Sequence, residues 1–224
     1  MKKRVLLIAA IAAGVFTTSN VNAQDFKPAG GEKNIEVNFA PLGGSPISIN
    51  NLRLRYFMSS DMAIRVGFSV ASSSTTDITL GGTTGEIEIE NKSSSFGLTI
   101  NPGIEKHFAG TDRLSPYIGA ELLFTLISTS DLDQETTSLT DDAIVETETT
   151  NGSTTFGLNL VLGADWYFSK HIYMGTEVGF GFASTSNADT EVTPPTGSSV
   201  TSPNGSSFDL GPTFNSAIRL GFLF

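Results

Sequence analysis

The apolar and polar residues of this chain alternate over long stretches, most clearly in its last seventeen residues, 208–224. Even positions there are mostly apolar, from Phe208 to Phe224, and odd positions such as Asp209 are small or polar; Ser216 and Leu223 are the exceptions. A period of two predicts a strand with two chemically different faces. A strand this long, with one apolar face, is typical of a barrel in a lipid bilayer.

The same pattern recurs and predicts eight strands, at about 34–42, 47–58, 62–72, 94–108, 115–128, 154–168, 172–183 and 208–224. Short turns are expected near residues 43–46, 59–61 and 169–171, and long polar loops over about 73–92, 129–153 and 184–207. Pro102 lacks the N–H that a central strand donates, so a local bulge is expected there. An even strand count with turns on one side and loops on the other predicts an all-β, eight-stranded antiparallel up-and-down transmembrane β-barrel.

The polar strand faces indicate which side is the interior. Glycine weakens a strand in water, whereas a narrow lumen needs small residues beside large ones. The polar faces carry eleven glycines: Gly67, Gly97, Gly103, Gly119, Gly157, Gly163, Gly175, Gly179, Gly181, Gly211 and Gly221. They also carry nearly balanced charges, for which we predict an interior network that plugs the lumen: Glu36, Arg53, Arg55, Arg65, Glu105, Glu121, Asp165, Glu177 and Arg219.

Aromatic residues cluster at two levels, as expected for the two girdles of a membrane barrel. The first level, beside the short turns, comprises Tyr56, Phe57, Phe108, Tyr117, Trp166, Tyr167, Phe168, Tyr173, Phe222 and Phe224. The second, nearer the long loops, comprises Phe68, Phe96, Phe124, Phe156, Phe180 and Phe214. Ten tilted strand residues separate Phe214 from Phe224, which corresponds to roughly 25 Å along the membrane normal.

The amino terminus has the pattern of a secretory signal peptide. Three cations, Lys2, Lys3 and Arg4, precede a short apolar run, and small residues precede a cleavage site expected after Ala23. The run is shorter than the roughly 20 residues of a spanning helix, which disfavours a retained anchor. We therefore predict a signal peptide over residues 1–23 and one barrel domain over residues 24–224.

Charge and cysteine content exclude several classes of function. The chain has a formal net charge of −10 and no cysteine. Removal of the signal peptide would make the charge −13, which disfavours nucleic acid as a partner. Without cysteine there is neither a disulfide framework nor thiol chemistry.

The last strand, together with the stretches 102–108 (PGIEKHF) and 115–120 (SPYIGA), resembles the small outer-membrane β-barrel proteins of Gram-negative bacteria. The chain is similar to the OmpA and OmpX type of barrel, and especially to the outer-membrane β-barrel domain proteins of Bacteroidota. The resemblance implies a cell outer-membrane location, with periplasmic termini and extracellular long loops. It also implies that Ile218, Leu220, Phe222 and Phe224 form a signal read by the barrel-assembly machinery.

Few residues suggest chemistry. The two histidines, His107 and His171, lie at the short-turn end, so we expect interfacial polar residues and no catalytic residue. Asp131, Asp133 and Glu135 begin like a calcium loop, but Thr136 occupies the position where such a loop needs glycine. We therefore predict no metal site and no cofactor, and we consider loose bridging of divalent cations to lipid headgroups as a hypothesis.

Three functions remain open. The first is a non-enzymatic structural or surface-interaction protein with a plugged lumen and acidic loops. The second is a small pore, and the third is a lipid-modifying outer-membrane enzyme. The expected partners are outer-membrane lipid, the barrel-assembly machinery during insertion, and an unknown extracellular or membrane protein.

Overall fold

The computed structural model describes residues 26–39, 47–82, 85–136, 143–214 and 218–224. All regular structure in these residues is β-strand, and none of them forms a helix long and apolar enough to cross a membrane. The strands are β1 (Lys33–Phe39), β2 (Ile47–Ser59), β3 (Met62–Gly81), β4 (Ile87–His107), β5 (Leu114–Thr136), β6 (Ile144–Tyr167), β7 (Ile172–Asn187), β8 (Thr190–Thr193), β9 (Val200–Ser202), β10 (Ser206–Phe214) and β11 (Ile218–Leu223).

The strands close into a ring. Each of β1 to β6 pairs antiparallel with the next strand, and β11 pairs with both β7 and β1. Strands β10 and β11 both pair with β7 and together form the eighth barrel strand. This confirms the predicted eight-stranded antiparallel barrel. The pairing shifts by two residues between Phe214, opposite Val178, and Arg219, opposite Gly175. A shift of two residues keeps the even residues on one face, so the alternating pattern continues across the shift.

Two details of the predicted strands were wrong. The stretches 73–92 and 129–153, which were predicted as long loops, are mostly strand, because β3 pairs with β4 as far as Gly81 and β5 pairs with β6 as far as Thr136. These stretches are rich in Ser and Thr, whose hydroxyls bond across strands, as in the 2.9 Å contact between Ser73 and Ser95. Pro102 causes no bulge, since the register of β3 with β4 continues unbroken through it.

The distribution of burial is inverted relative to a water-soluble barrel. Large apolar side chains on the even positions point outward, and Leu160 and Phe180 are each 53% exposed. Charged side chains are among the most enclosed, since Arg55 is 2% exposed and Arg65 is 0% exposed. An apolar band around a polar interior is the arrangement that a lipid environment stabilises.

The aromatic level beside the short turns divides into two sets. Tyr56, Phe108 and Trp166 point outward, as predicted for a girdle. Four residues assigned to that girdle are instead buried inside the barrel: Phe57, Tyr117, Tyr167 and Tyr173. They occupy odd strand positions, so the alternation that defines the two faces, and not aromatic character, decides their direction.

Interior tyrosines lie over glycines on the neighbouring strand. Tyr117 is directly opposite Gly163, and Tyr173 is directly opposite Gly221. A Cβ atom added to either glycine would overlap the facing tyrosine ring. Gly97 and Gly211 differ, because an added Cβ would meet no described atom within 4 Å. Gly175 is also tight, since an added Cβ would overlap the side chains of Asp165 and Arg219. The predicted need for small residues therefore holds at several lumen glycines but not at every one.

Candidate functional site

The half of the barrel next to the short turns is filled by charged side chains. All nine residues predicted for the interior network point into this space, and eight of them are less than 9% exposed; the ninth, Arg53, has a side chain 11% exposed. We call these nine residues the plug. They come from all eight strands of the ring, so the cluster exists only once the ring has closed.

Arg65 binds three carboxylates. Its Nη1 atom lies 2.6 Å from Glu105 Oε1 and 2.7 Å from Glu177 Oε2. Its Nη2 atom donates a hydrogen bond to Glu121, whose other oxygen accepts a 3.3 Å hydrogen bond from Asn159. Arg65 therefore joins β3, β4, β5 and β7 across the lumen.

Two further arginines complete the ion-pair network. Arg55 Nη1 is 2.5 Å from Asp165 Oδ2 and 3.0 Å from Glu36 Oε1. Arg219 Nη1 is 2.9 Å from Glu36 Oε2, and its Nη2 is 3.1 Å from Asp165 Oδ1. Glu36 and Asp165 thus each form ion pairs with both guanidinium groups. Shared ligands of this kind satisfy charges that burial would otherwise destabilise.

Arg53 lies at the margin of the plug, at distances of 3.3 Å from Glu177 Oε2 and 3.5 Å from Glu36 Oε2. Its contacts are longer than those of the other three arginines. Arg53 therefore contributes charge to the plug with less restricted geometry.

The interior tyrosines belong to the same network, although the sequence analysis placed them in the girdle. Tyr117 donates a 2.6 Å hydrogen bond to Glu177 and accepts a 2.7 Å hydrogen bond from Arg219. Tyr173 donates a 2.5 Å hydrogen bond to Glu36. Arg55 lies 5.1 Å from the centroid of the Tyr117 ring. Their odd positions in the strands were the sequence signal that predicts an inward direction for both side chains.

His107 is also buried, at 3% exposure, and is not the interfacial residue that we expected. Its Nδ1 atom is 2.9 Å from Ser115 Oγ, and its Nε2 atom is 3.2 Å from Glu105 Oε2. The same three residue types form a hydrolase triad, but there the histidine bonds the serine through Nε2 and the carboxylate through Nδ1, the reverse of the contacts of His107. In addition, Ser115 is itself only 3% exposed, and Glu105 is held by Arg55 and Arg65. His171 bonds the carbonyl of Leu223 at 3.1 Å, near the carboxyl terminus.

Above the plug, on the side of the long hairpins, the lumen contains a cavity of about 380 Å³. We call it the vestibule. Its lining includes Asn101, Glu121, Leu123, Asn159, Gly181 and Asp209. Glu121 is common to the plug and the vestibule, so the plug forms the floor of this cavity.

The residues predicted as an assembly signal lie on the outer face of the last strand. Ile218 is 42% exposed, and Leu220, Phe222 and Phe224 are partly exposed. The backbone of Phe224 exchanges two hydrogen bonds with Lys33 at 2.8 and 3.0 Å, which joins the chain end to β1. Residues 215–217, which precede β11, lie outside the described residues. The predicted signal peptide also lies outside them.

The acidic segment proposed as the start of a calcium loop is part of β5, so Asp131, Asp133 and Glu135 lie on an extended strand. Asp142, which would be the twelfth residue of such a loop, lies outside the described residues. Among the residues that the structure describes, no group of three histidine or acidic side chains is placed to hold a metal ion.

Comparison with known proteins gives the family. The model of the OmpA-OmpF-like porin family matches residues 43–224. The chain belongs to this family. No curated protein sequence matches the chain significantly.

Solved structures similar to this barrel are outer-membrane proteins. The N-terminal β-barrel domain of Pseudomonas aeruginosa OprF is 12% identical, with a TM-score of 0.36, over 88% of this chain and 100% of that chain. OprG of the same organism is 12% identical, with a TM-score of 0.46, over 90% and 99%. The attachment invasion locus protein Ail of Yersinia pestis is 12% identical, with a TM-score of 0.37, over 87% and 99%.

Proposed function

We propose that this chain is a non-enzymatic integral outer-membrane β-barrel whose lumen is closed by the charged plug and whose long hairpins form an acidic extracellular surface. Its role is structural or surface-interacting. The observation that supports this proposal most directly is the plug, in which Arg55 and Arg65 bind carboxylates from the opposite wall of the lumen. Such a network blocks the path that a pore would need.

The proposed orientation follows from the two ends of the barrel. Short turns and both described chain ends lie on one side, and the β3–β4 and β5–β6 hairpins project from the other. By the usual rule for these barrels, the first side faces the periplasm and the hairpins face outward. We further propose that the signal peptide is cleaved after Ala23, and that the outward residues of β11 are read by the barrel-assembly machinery.

The partners that we propose are outer-membrane lipid around the apolar band and a protein outside the cell at the hairpins. The hairpin strands carry exposed acids on both faces, including Glu88 on β4 and Asp133 on β5. A surface of this charge would select a basic partner.

The burial of Ser115 supports a non-enzymatic role. A serine nucleophile must contact its substrate, and this hydroxyl is enclosed beside His107 at the floor of a charged network. Arg55 and Arg65 also hold the carboxylate of Glu105 in ion pairs. The Ser115, His107 and Glu105 contacts therefore serve to satisfy buried polar groups.

A small pore is the second candidate, and the vestibule is the observation that favours it, because the lumen is open over this cavity. Planar bilayer recordings of the purified protein decide between the two. The plugged barrel should give no steady conductance, whereas stable single-channel steps would contradict the plug. Recovery as a soluble periplasmic monomer, in place of the outer-membrane fraction, would contradict the location.

A further inference from the structure

We infer that the vestibule is a binding site for a small organic cation, such as an alkylammonium compound, that enters from the extracellular side. This inference rests on the proposed plugged barrel, since the plug gives the vestibule a floor. A cavity of about 380 Å³ is within the range of small-molecule sites. The cavity lies on the hairpin side of Glu121.

The charges of the vestibule differ in how they are compensated. Glu121 is bound by Arg65 and Asn159, so its charge is neutralised within the protein. Asp209 is exposed to solvent, has no hydrogen-bond or ion-pair partner among the described residues, and lies on the inward face of β10, opposite Ala183. The vestibule therefore presents one carboxylate that no protein cation neutralises, which a monovalent cation would match.

The remaining lining supplies the other contacts that such a ligand needs. The side-chain amides of Asn101 and Asn159 provide neutral polar groups, and Leu123 provides apolar surface for an alkyl chain. Convergent polar groups beside apolar surface are characteristic of ligand sites.

The route to the vestibule also favours cations. Asp131 and Asp133 lie on the same alternating face of β5 as Glu121 and Leu123, farther toward the hairpin end. An acidic rim raises the local concentration of cations and lowers that of anions. The same field should make the on-rate of a cationic ligand decrease as the salt concentration rises.

The test uses the full barrel refolded in detergent micelles and three probes of one shape: n-butylammonium, n-butanol and n-butyrate. NMR would follow the backbone amide of Gly181 and the side-chain amides of Asn101 and Asn159. We expect saturable shifts with butylammonium, weaker shifts with butanol and none with butyrate. Equal shifts with butylammonium and butyrate, or no saturable shift with any probe, would overturn the inference.

Two substitutions and their matched controls locate the site. Asp209→Asn should raise the Kd for butylammonium at least fivefold, whereas Asp77→Asn on β3 should leave it unchanged. Gly211 lines the vestibule and has open space at its Cβ position, so Gly211→Leu should fill the cavity and abolish binding. Gly97→Leu also enters open space but does not line the vestibule, so it should keep the wild-type Kd.

An unchanged Kd in both Asp209→Asn and Gly211→Leu would show that butylammonium binds elsewhere and would refute the site. Bilayer recordings on the same samples separate this result from the proposed function. Steady conductance with intact butylammonium binding would refute the plug alone. Absence of both conductance and binding would refute the vestibule site alone.

Discussion

Replacing Arg65 with methionine tests whether the plug is a structural element that stabilises the barrel. Methionine keeps much of the side-chain volume but removes the guanidinium that binds Glu105, Glu121 and Glu177. Removing one partner of a buried ion-pair network typically destabilises a protein by about 3–5 kcal/mol, because the remaining charges stay buried without compensation. We expect a loss of that size in the free energy of unfolding.

The three carboxylates would not be affected equally. Glu105 would keep Arg55 and His107, and Glu177 would keep Arg53 and the hydroxyl of Tyr117. Glu121 would keep only the amide of Asn159 among the described contacts. Adding Glu121→Gln to Arg65→Met should therefore recover roughly 1–3 kcal/mol, the cost of a buried polar group left unsatisfied.

The assay is urea unfolding of the barrel in lipid vesicles, followed by the fluorescence of Trp166, the single tryptophan of the chain. The matched control is Lys106→Met, which removes an exposed ion pair with Asp61. Exposed pairs contribute little, so this variant should unfold at the urea concentration of the wild type. A loss below about 1 kcal/mol for Arg65→Met, or no recovery in the double variant, would refute the structural role of the plug.

Three further predictions concern packing, placement and assembly. Gly163→Ala should destabilise the barrel by about 1–3 kcal/mol in the same assay, because the new Cβ would overlap Tyr117, whereas Gly97→Ala should change stability little; equal effects would contradict the packing of tyrosine over glycine. The fluorescence of Trp166, which is 45% exposed on the outer face, should be quenched by brominated lipid, and an unquenched signal would mean that this face does not contact lipid. Deleting Phe224 should slow assembly in cells more than it lowers the stability of the refolded barrel; unchanged insertion kinetics would contradict its role as an assembly signal.

The strand count shows how much of the fold was readable from the sequence. Alternation at every second residue identifies a strand wherever its two faces meet different environments, as in β7 and the segment 208–224. The polar hairpin extensions lack that contrast because both faces meet water. Their pairing, as between Ser73 and Ser95, depends on a neighbouring strand that the sequence of one segment does not specify.

The charged residues of the plug could likewise be predicted as interior, because alternate residues of a strand point to opposite faces. Tyr117 and Tyr173 also occupy inward positions of their strands, and the structure places both inside, although aromatic residues near a barrel end are expected in the outer girdle. His107 was misassigned for a related reason, since its partner Ser115 is on the following strand and comes close only through the pairing of β4 with β5.

The sequence by itself determined the class of fold, the number of barrel strands and the nine residues that face the interior, because these depend on local periodicity and residue type. Only the tertiary structure decided which carboxylates Arg65 binds, which glycines lie beneath tyrosine rings, and where the lumen stays open above Glu121. These features depend on the shear and closure of the ring, which bring residues from distant strands to the same height in the lumen. That relation between strands is absent from any single segment of the chain.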